Sequence, residues 1–145
     1  MLTRFILYGF GGWCGEIIFT ALTDSLPSRD WRLMGKTYLW MFPIYGLIAP
    51  LYEPVHDLIR DVSFFGRAAI WALGFTLIEY VTGWLIDKAT GQCPWDYIAA
   101  KQPYAINAYI RWDFFPLWAA IGLMLEPMHD VAVQLTPHIE KAIWG

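Results

Sequence analysis

Four glutamates stand inside or at the ends of apolar runs, and two of them head a phrase that occurs twice. Glu53-Pro54-Val55-His56-Asp57 returns as Glu126-Pro127-Met128-His129-Asp130. In chain order the set reads Glu16, Glu53-x-x-His56, Glu79, Glu126-x-x-His129. Carboxylate-bridged di-metal bundles take one Glu from each of two helices and a Glu-x-x-His from each of two others. Residues three apart share a helix face, so each Glu and its His could grip one ion. Four carboxylates would balance two divalent cations, and iron or manganese suits oxygen and imidazole ligands. An oxidase or hydroxylase acting on a lipid or quinone would follow. The two histidines could instead hold a haem or chlorin, shared between them or one on each, because haem iron accepts axial His.

A reading without metal ranks ahead of both. If the chain is duplicated, the four-part pattern needs one coincidence, not two. Pro54 and Pro127 directly follow the glutamates and disfavour a helix interior, so they suit the starts of short helices near Glu53 and Glu126. His56 and His129 each have an Asp close by near the end of a run, where surface solvation is the plain assignment. Thr20 lies four residues after Glu16, and Thr76 and Thr82 lie three residues either side of Glu79. These form polar stripes, and the expected site is an interior polar cleft lined by Glu16, Thr20, Thr76, Glu79 and Thr82. A charge at bilayer depth costs at least ~2.5 kcal/mol on insertion scales. No Lys or Arg lies centrally in the runs to offset it, so protonation, hydration and a bound cation all stay open.

The elements that must position these groups are helices. The runs cover residues 5–22, 37–52, 68–86 and 114–125. A spanning helix needs about 20 mostly apolar residues. The first and third runs qualify, and the others do so if they extend over 38–55 and 112–133. With 57% apolar, 18% aromatic and 16% charged residues, the chain falls well below the ~25% charge of an average protein. A soluble four-helix bundle is the competing fold, but its helices would carry a polar face, and these are apolar nearly all round. Four crossings put both termini on one side. Six cations in the two longer connections face four on the other side, which leaves the orientation open. The net charge of −3 offers no nucleic-acid footprint.

The repeat extends beyond the acidic phrase. Phe42-Pro43 and Phe115-Pro116 precede it at equal spacing, and Gly11, Glu16 and Asp24 align with Gly74, Glu79 and Asp87. The expected fold is all-α: a four-transmembrane-helix bundle of two pseudo-repeated hairpins, 1–62 and 63–134. It forms one integral membrane domain with an interfacial tail at 135–145. Parallel repeats follow from an even number of spans in each. Gly11 and Gly15 make a small-xxx-small pair, expected to pack within the chain, with dimerisation as the alternative. Residues 87–113 form a long connection with turn signals at Thr90-Gly91-Gln92 and Cys93-Pro94. Its Trp95-Asp96-Tyr97 should be ordered and cap the bundle. Cys14 and Cys93 are expected as free thiols. No phosphate-binding loop or Gly-x-Ser-x-Gly elbow occurs.

Leu7-Tyr8-Gly9-Phe10-Gly11-Gly12-Trp13 followed by Glu16 resembles the first helix of the putative ABC-transporter type IV, or CmpB-like, membrane proteins. Pro43-Ile44-Tyr45-Gly46, Glu79-Tyr80-Val81-Thr82-Gly83-Trp84-Leu85 and Trp95-Asp96-Tyr97 are similar to its other characteristic stretches. Cys93-Pro94-Trp95-Asp96-Tyr97 is also similar to the transmembrane protein 229 family. The pattern departs from the family after the loop, where Asn107 leads to Tyr109-Ile110-Arg111 instead of Asn-x-x-Gly-Arg. The resemblance implies a small integral membrane protein: a permease-like or lipid-handling component, or an accessory subunit of a larger membrane complex. The leading reading is non-enzymatic and uses no cofactor, while enzyme status stays open against the alternative with two iron or manganese ions. The implied partners are the lipid bilayer, other membrane subunits or a second copy of itself.

Overall fold

The computed structural model describes residues 1–145, apart from the side chain of Trp144. The described residues form helices and loops with no strand; an isolated bridge joins Ala105 and Arg111. Helix α1 spans Leu2–Thr20 and continues as a π-helical turn, Ala21–Ser25. The second helical segment is α2 (Met41–Gly46), a π-helical turn (Ile48–Tyr52) and α3 (Glu53–Ile59). Helix α4 spans Phe64–Thr90, and α5 spans Phe115–Trp144 after a 3-10 turn at Trp112–Phe114.

Prolines explain the second segment. Pro43, Pro50 and Pro54 each lack a backbone donor, so the run 37–52 folds as short pieces joined through a wide turn. The start of α3 at Glu53 matches the sequence expectation. The start expected near Glu126 does not occur, because α5 runs through Pro127 without a break. Pro127 forgoes one intrahelical bond, and the strong helix formers Leu123, Met124, Leu125 and Met128 carry the helix past it. Residues 135–144 therefore continue α5 and do not form a helix of their own.

Helix α4 is capped at both ends. Ser63 accepts a hydrogen bond from the Gly66 amide at 3.3 Å, and Gly91 closes the other end with φ of 70° and its amide on the Asp87 carbonyl at 2.8 Å. Two helical stretches are long and apolar enough to cross a membrane: Leu2–Ser25, with 24 residues, and Phe64–Thr90, with 27. At a rise of ~1.5 Å per residue both exceed a hydrocarbon core of ~30 Å. Both also present apolar side chains outward, among them Phe10, Ile18, Leu73 and Leu77.

The chain divides into two compact units, residues 1–58 with 131–145, and residues 59–130. In the first, α1 and α2 approach at glycines. A Cβ at Gly9 would meet the Phe42 ring at 2.7 Å, one at Gly46 would meet Phe5 at 2.5 Å, and one at Gly12 would strike the base of the Tyr45 side chain. Phe5, Phe10, Trp13 and Phe42 form an aromatic cluster around this contact. A Cβ at Gly11 or Gly15 would meet nothing within 4 Å among the described residues, so that pair admits no comparable close approach within the first unit. With 3.6 residues per turn, residues 9 and 12 share one face of α1, and 11 and 15 fall on another. In the second unit Trp71 sits on Gly122, and Phe75 stacks on Trp118 with ring centroids 5.8 Å apart.

Candidate functional site

The four glutamates divide into two kinds. Glu16 and Glu79 lie near the middle of the two long apolar helices and are held by uncharged donors. In the first unit the Thr37 hydroxyl donates to Glu16 Oε2 at 2.6 Å, and the Tyr45 phenol does so at 3.2 Å. In the second unit the Tyr97 phenol donates to Glu79 Oε1 at 2.8 Å, and the Trp118 indole to Oε2 at 3.1 Å. Among the described residues neither carboxylate forms an ion pair with Lys or Arg.

Glu53 and Glu126 are held by arginines near the starts of the long helices. Arg4 grips Glu53 with both nitrogens of its fork, Nε to Oε1 at 2.7 Å and Nη2 to Oε2 at 2.9 Å. Arg67 Nε reaches Glu126 Oε1 at 2.9 Å, and the Trp71 indole donates to the same oxygen at 2.9 Å. Arg67 also donates to the Val62 carbonyl at 2.7 Å. Both carboxylates are largely buried, with side chains 8% and 14% exposed. Low exposure makes both strong, charge-assisted contacts, and the Arg4–Glu53 pair adds the two-pronged fork geometry.

Thr20 binds the loop backbone: its hydroxyl donates to the Lys36 carbonyl at 2.9 Å and accepts from the Lys36 amide at 2.8 Å. Thr76 and Thr82 donate to carbonyls of their own helix, at Ala72 and Ile78. His56 and His129 are both buried, each 3% exposed, so neither is solvated at a surface. His56 stacks on Tyr52 at 5.8 Å. Of the residues that a di-metal centre would use, Glu16, Glu53 and His56 belong to the first unit, and Glu79, Glu126 and His129 to the second. Glu53 and Glu126 already neutralise guanidinium groups, which compete directly with a cation for their oxygens.

The connection after α4 is ordered. Trp95 and Tyr109 pack over Gly83, where a Cβ would lie 3.1–3.2 Å from them, and the Trp95 indole donates to the Tyr109 carbonyl at 3.1 Å. Asp96 accepts from the Ala99 amide at 2.9 Å. The Tyr109 phenol donates to Asp87 at 2.7 Å, which pushes its pKa up to about 12. Arg111 lies over the rings of Phe114 at 4.4 Å and Tyr97 at 5.6 Å. Its Nε donates to Asp113 at 2.7 Å, and this guanidinium holds the Asp113 carboxyl below the usual carboxylate range. Burial first, then the Glu79 charge, pushes the Tyr97 phenol well up, so it stays a donor at neutral pH. Tyr97→Phe is expected to loosen this loop, at a cost of about 1–3 kcal/mol for the stranded carboxylate oxygen. Limited proteolysis should then cut between residues 91 and 113 faster than in the parent; an unchanged rate would show that Tyr97 does not fasten the loop.

Sequence reading missed Arg4, Thr37, Tyr45, Arg67, Trp71 and Trp118. A usable signal was present: Arg4 stands to Arg67 as Glu16 stands to Glu79, and Tyr45 stands to Trp118 as Glu53 stands to Glu126.

No solved structure matches the chain. The family described as putative ABC-transporter type IV matches residues 3–144, and so takes in both candidate spans but for Leu2. This match and the two apolar helices support membrane association and a transport-related role. The chain belongs to the putative ABC-transporter type IV family.

Proposed function

We propose that the protein crosses the membrane four times as two copies of one hairpin, with both termini on the same side. In this reading it serves as a small transport or lipid-handling component, or as an accessory subunit of a larger membrane complex, and is not an enzyme. Repetition of chemistry supports the duplication. Each unit has an Arg–Glu pair and, separately, a mid-helix Glu held by two uncharged donors.

The observation that carries the functional reading is the second of these. Hydroxyl and indole donors steady a carboxylate without cancelling its charge. Glu16 and Glu79 therefore each keep the capacity to take a proton, a cation or a polar group of a ligand within an apolar helix. The Trp95-Asp96-Tyr97 loop supports the same reading, because it delivers one of the donors.

Native mass spectrometry of the full chain, released from membranes in mild detergent, tests this. The expected result is retained phospholipid or larger protein partners, reduced at least about tenfold when Glu16→Gln and Glu79→Gln are combined, a loss on the scale of one charge-assisted contact. A bare monomer, in parent and variant alike, would remove the proposal. A mass increment of two iron or manganese ions, lost on His56→Ala, would establish the di-metal enzyme in its place.

A further inference from the structure

The connection between α1 and α2 combines a fastened backbone with an outward-facing apolar tip. Its return limb lies against α1. The Ser25 hydroxyl donates to the Met34 carbonyl at 2.8 Å, Thr20 pairs with both backbone groups of Lys36, and the Trp13 indole donates to the Tyr38 carbonyl at 3.0 Å. A Cβ at Gly35 would collide with the Ile17 carbonyl. The turn itself is closed by the Asp30 amide on the Ser25 carbonyl at 2.9 Å and the Leu33 amide on the Asp30 carbonyl at 3.0 Å.

The side chains of this turn are nevertheless unburied. Trp31 is 78% exposed and Met34 61%, and Leu26 and Leu33 are exposed beside them. Leu33 and Arg29 adopt φ of 49° and 56°, a region that bulky residues rarely enter. The backbone thus holds an uncommon conformation while presenting Trp31, Leu33 and Met34 outward. The same turn carries Arg29, Arg32 and Lys36, all exposed; Arg32 pairs with Asp30 at 2.8 Å and Lys36 with Asp24 at 3.3 Å, which leaves Arg29 as the cation of the turn with no carboxylate among the described residues.

Position supplies the occupant. The stretch Leu2–Ser25 has 24 residues, about 36 Å of helix against a hydrocarbon core of ~30 Å. The turn that follows Ser25 therefore begins at headgroup level. Trp favours that level, and guanidinium and ammonium groups complement phosphates there.

We propose that residues 26–36 lie in the phospholipid headgroup layer of the protein's own bilayer, with Trp31, Leu33 and Met34 reaching toward the acyl chains and Arg29 meeting a lipid phosphate. This rests on the membrane-spanning reading of α1. The segment is an anchor that sets the depth of α1, and with it the depth of Glu16.

The test uses full-length protein in phosphatidylcholine–phosphatidylglycerol vesicles, with Cys14→Ser and Cys93→Ser as background. Spin labels are placed by Trp31→Cys and Met34→Cys, and by Ile18→Cys and Leu77→Cys as references on the outward faces of the two long helices. Accessibility to oxygen, which partitions into lipid, is compared with that to a water-soluble nickel complex. The expected oxygen-to-nickel ratio at positions 31 and 34 is several-fold above that of free label in buffer and below that at positions 18 and 77. Water-like ratios at 31 and 34, with lipid-like ratios at 18 and 77, overturn the anchor and leave the spanning reading standing. Water-like ratios at all four positions overturn both. Quenching of parent fluorescence by brominated lipid, diminished in Trp31→Phe, supports the anchor without any label.

Discussion

Arg67→Ala is expected to destabilise the protein by about 3–5 kcal/mol, the range for removing one partner of a buried ion pair. The substitution leaves Glu126 with its side chain 14% exposed and without its guanidinium, while Trp71 still donates a single hydrogen bond. The loss exceeds the net worth of the pair, because desolvation of the carboxylate is no longer compensated. Arg4→Ala should act alike on Glu53, whose side chain is only 8% exposed and whose two oxygens are both taken up by the fork. Thermal unfolding in detergent micelles measures both. Adding Glu126→Gln to Arg67→Ala should recover a large part of the loss, since the buried charge goes with it. A double variant as unstable as the single one would show that the arginine contributes by packing and not by charge.

The second large effect is expected at the helix contacts. Gly12→Ala should cost at least about 1–3 kcal/mol, the usual range for overpacking a tight contact. The added methyl would strike the Cβ and Cγ of Tyr45, the part of that side chain closest to its backbone, so α1 and α2 must move apart. Separation also withdraws the Tyr45 phenol from Glu16. Gly122→Ala should behave similarly against the Cβ and Cγ of Trp71. Gly11→Ala and Gly15→Ala are the controls, because nothing lies within 4 Å of either position. They should be neutral or stabilise by about 0.5–1 kcal/mol through helix propensity. Equal tolerance at positions 11 and 12, measured by thermal unfolding, would contradict the α1–α2 approach described here.

The two kinds of carboxylate have different physical roles. Glu53 and Glu126 have their charge compensated by arginines and act as fasteners near the starts of the long helices. Glu16 and Glu79 are held by uncharged donors and form no ion pair among the described residues, which is why the proposed ligand chemistry belongs to them. Spacing offers Glu53 and Glu126 to a metal in the alternative reading; the structure pairs each with an arginine.

Much of the architecture was readable from amino-acid order. Apolar runs with few charges announced helices, two of them long enough to cross a membrane, because helix formation and hydropathy depend on neighbouring residues. The motifs around Glu16, Glu79 and Trp95 announced the family. The start of α3 at Glu53 followed from Pro54. Only the tertiary structure decided who holds each carboxylate. The donors lie far off in the chain, 49 residues from Glu53 in the case of Arg4, 59 from Glu126 for Arg67 and 39 from Glu79 for Trp118. Local periodicity carries no record of such distances. The same limit applies to the glycines of α1: several could admit a close neighbour, and only the arrival of Phe42 and Tyr45 selected Gly9 and Gly12. Pro127 gave the opposite lesson, because a proline's local penalty sets a preference that the favourable helix on both sides outweighs.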